Sequence, residues 1–169
     1  FGNISRALTP KAQAFGLKVI AYDPNAKRDV MAFANVEHVS FDELMERSDF
    51  VSVHAPLKPA THGLIWVDAF AKMKKGAILI NTARGPLVDE DALVAALDSG
   101  QLGGAGIDVV TTEPLAADSP LIGRDNVILT PHTAFYSVGA LEELQTKCAS
   151  DVARVLSGEK PIYPISVKV

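Results

Sequence analysis

Arg84, Asp108, Glu113 and His132 are the residues whose types and order could do chemistry together. A guanidinium presents a planar fork that grips a carboxylate bidentately, which an ammonium does less well. An imidazole titrates near neutral pH, and a carboxylate beside it fixes its orientation and favours its charged form. An anion-binding fork, an imidazole and its partnering acid make a proton-transfer site. Each residue also has a plainer reading alone: a surface arginine in a Gly-Pro turn, or an ordinary strand exit. The histidines of Val53-His54-Ala55-Pro56-Leu57 and Thr61-His62-Gly63 read more simply as hydrogen-bonded structure than as reactive groups. No metal site is expected.

What brings the four together is the patterning around them. Short runs rich in Val and Ile, bounded by turn residues, predict strands at Lys18–Tyr22, Asp49–Val53, Ala77–Asn81, Ala105–Val109 and Val127–Thr130. Most are continuously apolar, the pattern of a parallel sheet covered on both faces. Helices are expected at Arg6–Phe15, Phe41–Arg47 (Ser40 and Glu43 forming a capping box), Asp68–Met73, Asp89–Ser99 and Val138–Leu156. This alternation predicts an α/β fold, a doubly wound parallel sheet. Arg84, then Asp108 and Glu113, then His132 follow three successive strands, and such strand ends converge on one crevice.

The opening turn adds a second motif. Gly2 before a helix can be the second glycine of a G-x-G-x-x-G dinucleotide-binding turn, which lets the backbone approach a pyrophosphate at the helix N-terminus. Asp23 lies 21 residues further on, at a strand end, where an acid bonds the adenosine ribose hydroxyls. Asp23-Pro24 is equally readable as a strand-ending turn. A carboxylate there favours NAD over NADP, and Lys27 and Arg28 nearby weaken that preference.

Composition bounds the rest. The 169 residues, 48% apolar and 21% charged, suffice for one domain with a substantial core. The longest apolar run, Ala92–Leu97, is far short of a membrane span, and a net charge of −4 gives no reason to bind nucleic acid. The single cysteine, Cys148, falls on the apolar stripe of the last helix and is expected in the core.

In order and spacing, Asp23, His54-Ala55-Pro56-Leu57, Asn81-Thr82-Ala83-Arg84-Gly85, Gly106-Ile107-Asp108-Val109 with Glu113-Pro114, and Pro131-His132 resemble the D-isomer-specific 2-hydroxyacid dehydrogenases. The stretch after His132, Phe135-Tyr136-Ser137, is similar to the phosphoglycerate dehydrogenase-like branch that includes the C-terminal-binding-protein corepressors. The resemblance implies a Rossmann-like NAD-binding domain over residues 1–136, lacking its first strand, and a C-terminal helix and tail, 137–169, that pack toward a substrate domain built mostly from residues preceding this chain. It implies that Gly2, Asn3 and Ile4 cover the pyrophosphate, Asp23 holds the adenine ribose, and Ala55, Pro56 and Thr61 line the adenosine side. It implies that Thr82 and Ala83 pack near the nicotinamide, whose carboxamide Asp108 holds, and that Arg84 and His132 also contact the cofactor. The catalytic roles go to Arg84 on the substrate carboxylate and carbonyl, His132 as acid/base, and Glu113 as its partner.

The resemblance further implies a cytoplasmic homodimeric oxidoreductase acting on a small 2-oxo or 2-hydroxy acid, with neither nucleic-acid nor membrane partner, or alternatively an NAD(H)-regulated dimeric scaffold of corepressor type. The isolated chain is expected to be inactive, because its crevice would lack a wall. Two residues depart from the family pattern: Ser5 replaces Gly or Ala, and Trp66 replaces a capping Asn or Asp, so that helix is expected to start later, near Asp68. Phe135 and Tyr136 read either as an apolar wall of the pocket or as packing at the helix entry.

Overall fold

The computed structural model describes residues 1–164. The chain divides into two compact units, Phe1–His132 and a second that begins at Thr133.

In the first unit, β3 (Phe50–Val53), β4 (Ala77–Asn81), β5 (Leu102–Ile107) and β6 (Val127–Leu129) form a parallel sheet in the order β3-β4-β5-β6. β1 (Ile20–Ala21) and β2 (Glu37–His38) pair in parallel as a separate two-stranded sheet. This is a Rossmann-like α/β architecture. The classic order runs 3-2-1-4-5-6, and the break between the two sheets falls where that order places its first strand.

Helices fill the connections. α1 (Asn3–Ala14) precedes β1, α2 (Arg28–Phe33) joins β1 to β2, and α3 (Phe41–Arg47) leads into β3. α4 (Val67–Lys72) and α5 (Glu90–Asp98) cross from β3 to β4 and from β4 to β5. α3 starts on the expected capping box, the Ser40 hydroxyl accepting from the Glu43 N–H and the Glu43 carboxylate accepting from the Ser40 N–H. α5 starts on Asp89, whose side chain accepts the Ala92 N–H at 2.9 Å. α4 begins at Val67 with Trp66 as an N-cap that offers no side-chain bond, one residue earlier than the sequence suggests. Burial of Ala69 and Phe70 carries this short helix despite the missing cap.

Right-handed crossovers between strands added in one direction put α4 and α5 on the same sheet face. That face holds the core: Val51, Val53, Leu79, Leu102 and Ile107 pack with Phe70, Leu93 and Leu97. The opposite face differs from the expectation of two covered faces. Phe50 is 53% exposed and Ile128 73%. Continuous apolar strands therefore mark the sheet type and not its cover.

The second unit contains α6 (Val138–Leu156), capped by Ser137, whose side chain accepts the Ala140 N–H at 3.1 Å. The chain then turns back. The Ile162 and Tyr163 N–H groups donate to the Asp151 carboxylate at 2.8 and 2.9 Å, and the Lys147 ammonium stands 5.4 Å from the Tyr163 ring centre. Of the tail singled out in the sequence, residues 165–169 lie outside the described residues. No residue of α6 is buried, and Cys148 is exposed, not in the core. Its stripe is amphipathic as read, but Leu144, Val152 and Val155 are more than half exposed. Among the described residues no helix is long and apolar enough to cross a membrane.

Candidate active site

Because β3 to β6 are parallel, their C-terminal ends share one edge of the sheet, and every chemically interesting loop leaves from it. His54 follows β3, Thr82–Arg84 follow β4, Asp108–Glu113 follow β5, and Pro131-His132 follow β6.

The β4 exit is held by Asn81, 1% exposed. Its side chain donates to the Arg84 carbonyl at 2.9 Å and accepts the Ala83 N–H at 3.0 Å, closing a tight turn that presents Thr82 and Arg84 outward. The Arg84 guanidinium rests on the Ala83 carbonyl at 2.6 Å. Gly85 then presses against the next loop so closely that a Cβ would overlap the backbone of Val110 and Thr111. Only glycine fits, and the turn bearing Arg84 is thereby seated against the loop bearing Glu113.

The β5 and β6 exits are knitted together. The Asp108 N–H donates to the Asn81 carbonyl at 3.0 Å, and Asp108, 5% exposed, accepts from the Thr130 hydroxyl at 2.5 Å. The His132 N–H donates to the Asp108 carbonyl at 2.8 Å. His132 takes φ 55°, a left-handed conformation unusual for a side-chain-bearing residue. Such strain, about 1–3 kcal/mol, persists only where surrounding bonds impose it, and it clusters at functional sites.

The imidazole Nδ1 stands 2.8 Å from Glu113 Oε2, with both side chains 40% exposed. The hydrogen bond from His132 is the main cause that holds the Glu113 carboxyl below its ordinary value, with help from the Val110 N–H and the positive charges of His132 and Arg84. Ionised Glu113 can only accept, so the proton between the two side chains sits on Nδ1. Glu113, Asp108 and His132 line a cavity of about 530 Å³ with Ile107, Leu129 and Pro131, a size that suits a small ligand. Arg84 does not line it, and reaches the pair electrostatically through Glu113.

The remaining predicted nucleotide residues lie at the start of α1, after β1 and after β3. α1 has no acid in its first turn and no side-chain cap, and a Cβ on Gly2 would meet open space. The first-turn N–H groups of Asn3 and Ile4 thus face outward, as an anion site requires. Arg6, which the sequence reading passed over, donates to Asn3 Oδ1 at 2.9 Å and adds positive charge beside that terminus; its spacing of three from Asn3 was the available signal. Burial works to raise the Asp23 carboxyl, and the Asn25 N–H, donating at 2.8 Å, works to lower it. The Thr61 hydroxyl donates to the Pro56 carbonyl at 2.7 Å and accepts the Lys58 N–H at 2.8 Å, bracing the loop that includes Ala55 and Pro56. His54 Nε2 lies 2.9 Å from the Ser52 hydroxyl, and burial pushes its imidazole below the usual value.

A family model, the D-isomer specific 2-hydroxyacid dehydrogenase NAD binding domain, matches residues 1–134. The chain belongs to this family. It is 40% identical over 158 residues to a hydroxypyruvate reductase of Blautia hydrogenotrophica, covering 94% of the chain and 49% of that relative. The holo form of Rhodotorula graminis D-mandelate dehydrogenase superposes with a TM-score of 0.90 at 35% identity, covering 98% of this chain and 49% of that one. An Aquifex aeolicus D-lactate dehydrogenase, complexed with NAD and lactic acid, superposes with a TM-score of 0.85 at 36% identity over 94% of this chain and 52% of its own. The chain thus spans about half the length of these family members.

Proposed function

We propose that the full-length protein is an NAD-dependent oxidoreductase that transfers a hydride between the nicotinamide and C2 of a small 2-oxo or D-2-hydroxy acid. The observation that carries this reading is the His132–Glu113 pair, 2.8 Å apart in a small cavity at the sheet edge from which the Arg84 turn also leaves. The residues fit the cofactor: an uncapped helix N-terminus at Gly2, Asn3 and Ile4 for the pyrophosphate, and the Asp23 carboxylate for the ribose hydroxyls. Ala55, Pro56 and Thr61 line the adenosine side, Thr82 and Ala83 pack near the nicotinamide, and Asp108 holds its carboxamide. NADH, when bound, supplies the hydride.

Arg84 binds the carboxylate of the 2-oxo acid through its planar fork and polarises the carbonyl. His132, protonated, donates a proton from Nε2 to the carbonyl oxygen as C2 is reduced, and the product is the 2-hydroxy acid. In the reverse direction neutral His132 takes the hydroxyl proton. Glu113 keeps Nδ1–H in place in both directions and offsets the imidazolium charge. Asp23 repels a 2′-phosphate, which favours NAD over NADP.

The relatives named above act on hydroxypyruvate, mandelate and lactate, which supports the 2-oxo acid class and leaves its member to be chosen by assay. A homodimeric, cytoplasmic protein goes with this reading, and sedimentation tests the first of these. The function itself is tested by following NADH absorbance with the folded full-length protein and a panel including glyoxylate, hydroxypyruvate and pyruvate. Consumption with at least one member is expected. Unchanged absorbance across the panel would overturn the reading.

A further inference from the structure

Glu90 stands in the first turn of α5, outside every group assigned to cofactor or substrate. Its Oε1 accepts the backbone N–H of Thr111, 21 residues further along the chain. Thr111 belongs to the loop that leaves β5 and carries Glu113. The preceding N–H, of Val110, points at Glu113 Oε1 at 3.4 Å, while the other oxygen of Glu113 faces His132. Gly85 meets the same two peptide units, Val110 and Thr111, from the Arg84 turn. Two adjoining peptides are therefore touched by α5, by the guanidinium turn and by the acid that orients the imidazole.

The loop needs such an anchor. Thr111, Thr112, Glu113 and Pro114 are all exposed, so packing alone does not fix them. The anchor point is rigid by contrast. α5 is capped by Asp89 and buries Ala92, Leu93, Ala96 and Leu97. A carboxylate on such a helix, accepting a backbone N–H, is a charge-assisted bond to an exposed loop.

We propose that Glu90 is a positioning residue, which clamps the Val110–Glu113 loop to α5 so that Glu113 keeps its hold on His132 Nδ1. The consequence for turnover rests on the function proposed above; the clamp itself does not. An acid in a helix's first turn also offsets the helix dipole, but Asp91 does that equally and bonds no loop. Glutamine separates the two roles, because it keeps the acceptor oxygen and gives up the charge.

The test compares Glu90→Ala and Glu90→Gln in the full-length protein. Hydrogen exchange of the Thr111 amide, kcat and KM for the 2-oxo acid, and NADH affinity are measured. The alanine variant is expected to speed Thr111 exchange by about tenfold or more and to lower kcat roughly tenfold with NADH affinity unchanged. The glutamine variant is expected to restore both. Unchanged Thr111 exchange in the alanine variant would remove the clamp. Fast exchange with unaltered kcat, or a glutamine variant as impaired as alanine, would remove the positioning role. A wild-type protein that reduces no 2-oxo acid overturns the reading of the site, while the exchange experiment still decides the clamp.

Discussion

Gly85→Ala tests whether the Arg84 turn and the Glu113 loop form one assembly. The backbone angles of Gly85 do not lie in the left-handed region, so alanine meets no torsional objection there. The objection is spatial. The added Cβ would lie under 3.0 Å from the Val110 carbonyl and the Thr111 nitrogen, closer than real Cβ atoms approach. Restoring ordinary carbon contact at ~3.5 Å requires the two loops to part by roughly 1.5 Å. Overpacking of this kind costs about 1–3 kcal/mol, and each kcal/mol lowers Tm by about 2–4 °C in a domain of this size. The functional loss should be larger than the stability loss, because a 1 Å misplacement at a reacting centre can cost ~100-fold in rate. Turnover and thermal melting of the full-length variant, measured side by side, give the answer. A variant that melts several degrees lower and retains about 1% of kcat, with NADH affinity kept, agrees with the geometry. Wild-type melting and turnover would show that the loops do not press on each other as described.

Three further outcomes follow from named contacts. Glu113→Gln should cost stability in a pH-dependent way: the folded carboxyl lies below its ordinary value chiefly through the His132 bond, so its contribution is present above the unfolded value near ~4.3 and is lost as pH falls through the folded value; a wild-type advantage in denaturant melts that is constant with pH would contradict this. Asp89→Ala removes the cap of α5 and should cost about 1 kcal/mol, seen as a lower denaturant midpoint. Asp23→Ser should reduce the preference for NADH over NADPH by about tenfold or more, read as a ratio of kcat/KM values, since Lys27 and Arg28 then face the 2′-phosphate without an opposing carboxylate.

The elements most legible in the sequence were those with chemical punctuation. Ser40 with Glu43 and Asp89 mark their helix starts to the residue, and Gly76 and Gly100, both at positive φ, mark the turns that feed β4 and β5. The unpunctuated pieces were missed: α2 has no capping side chain, and β2 is a two-residue strand too short to show a period. Order along the chain was enough to place Asp108, Glu113 and His132 on one cavity, because a parallel sheet sends its exits to one edge; Arg84 leaves from that edge but does not line the cavity. What lies across elements was not readable. Gly85 looks like any turn glycine until Val110 is seen against it, and the Glu90–Thr111 bond spans a separation that no local spacing encodes. Cys148 failed for a related reason, since an amphipathic stripe states that a helix face wants cover without stating that this chain supplies it.

The central claim is that His132 moves the proton while other groups hold the cofactor. Its most direct test is His132→Asn in the full-length protein, with turnover of the preferred 2-oxo acid and NADH dissociation measured on the same preparation. A fall in kcat of about 100-fold to 10,000-fold is expected, with NADH affinity essentially unchanged. Equal losses in turnover and cofactor affinity, or no loss of turnover, would contradict it.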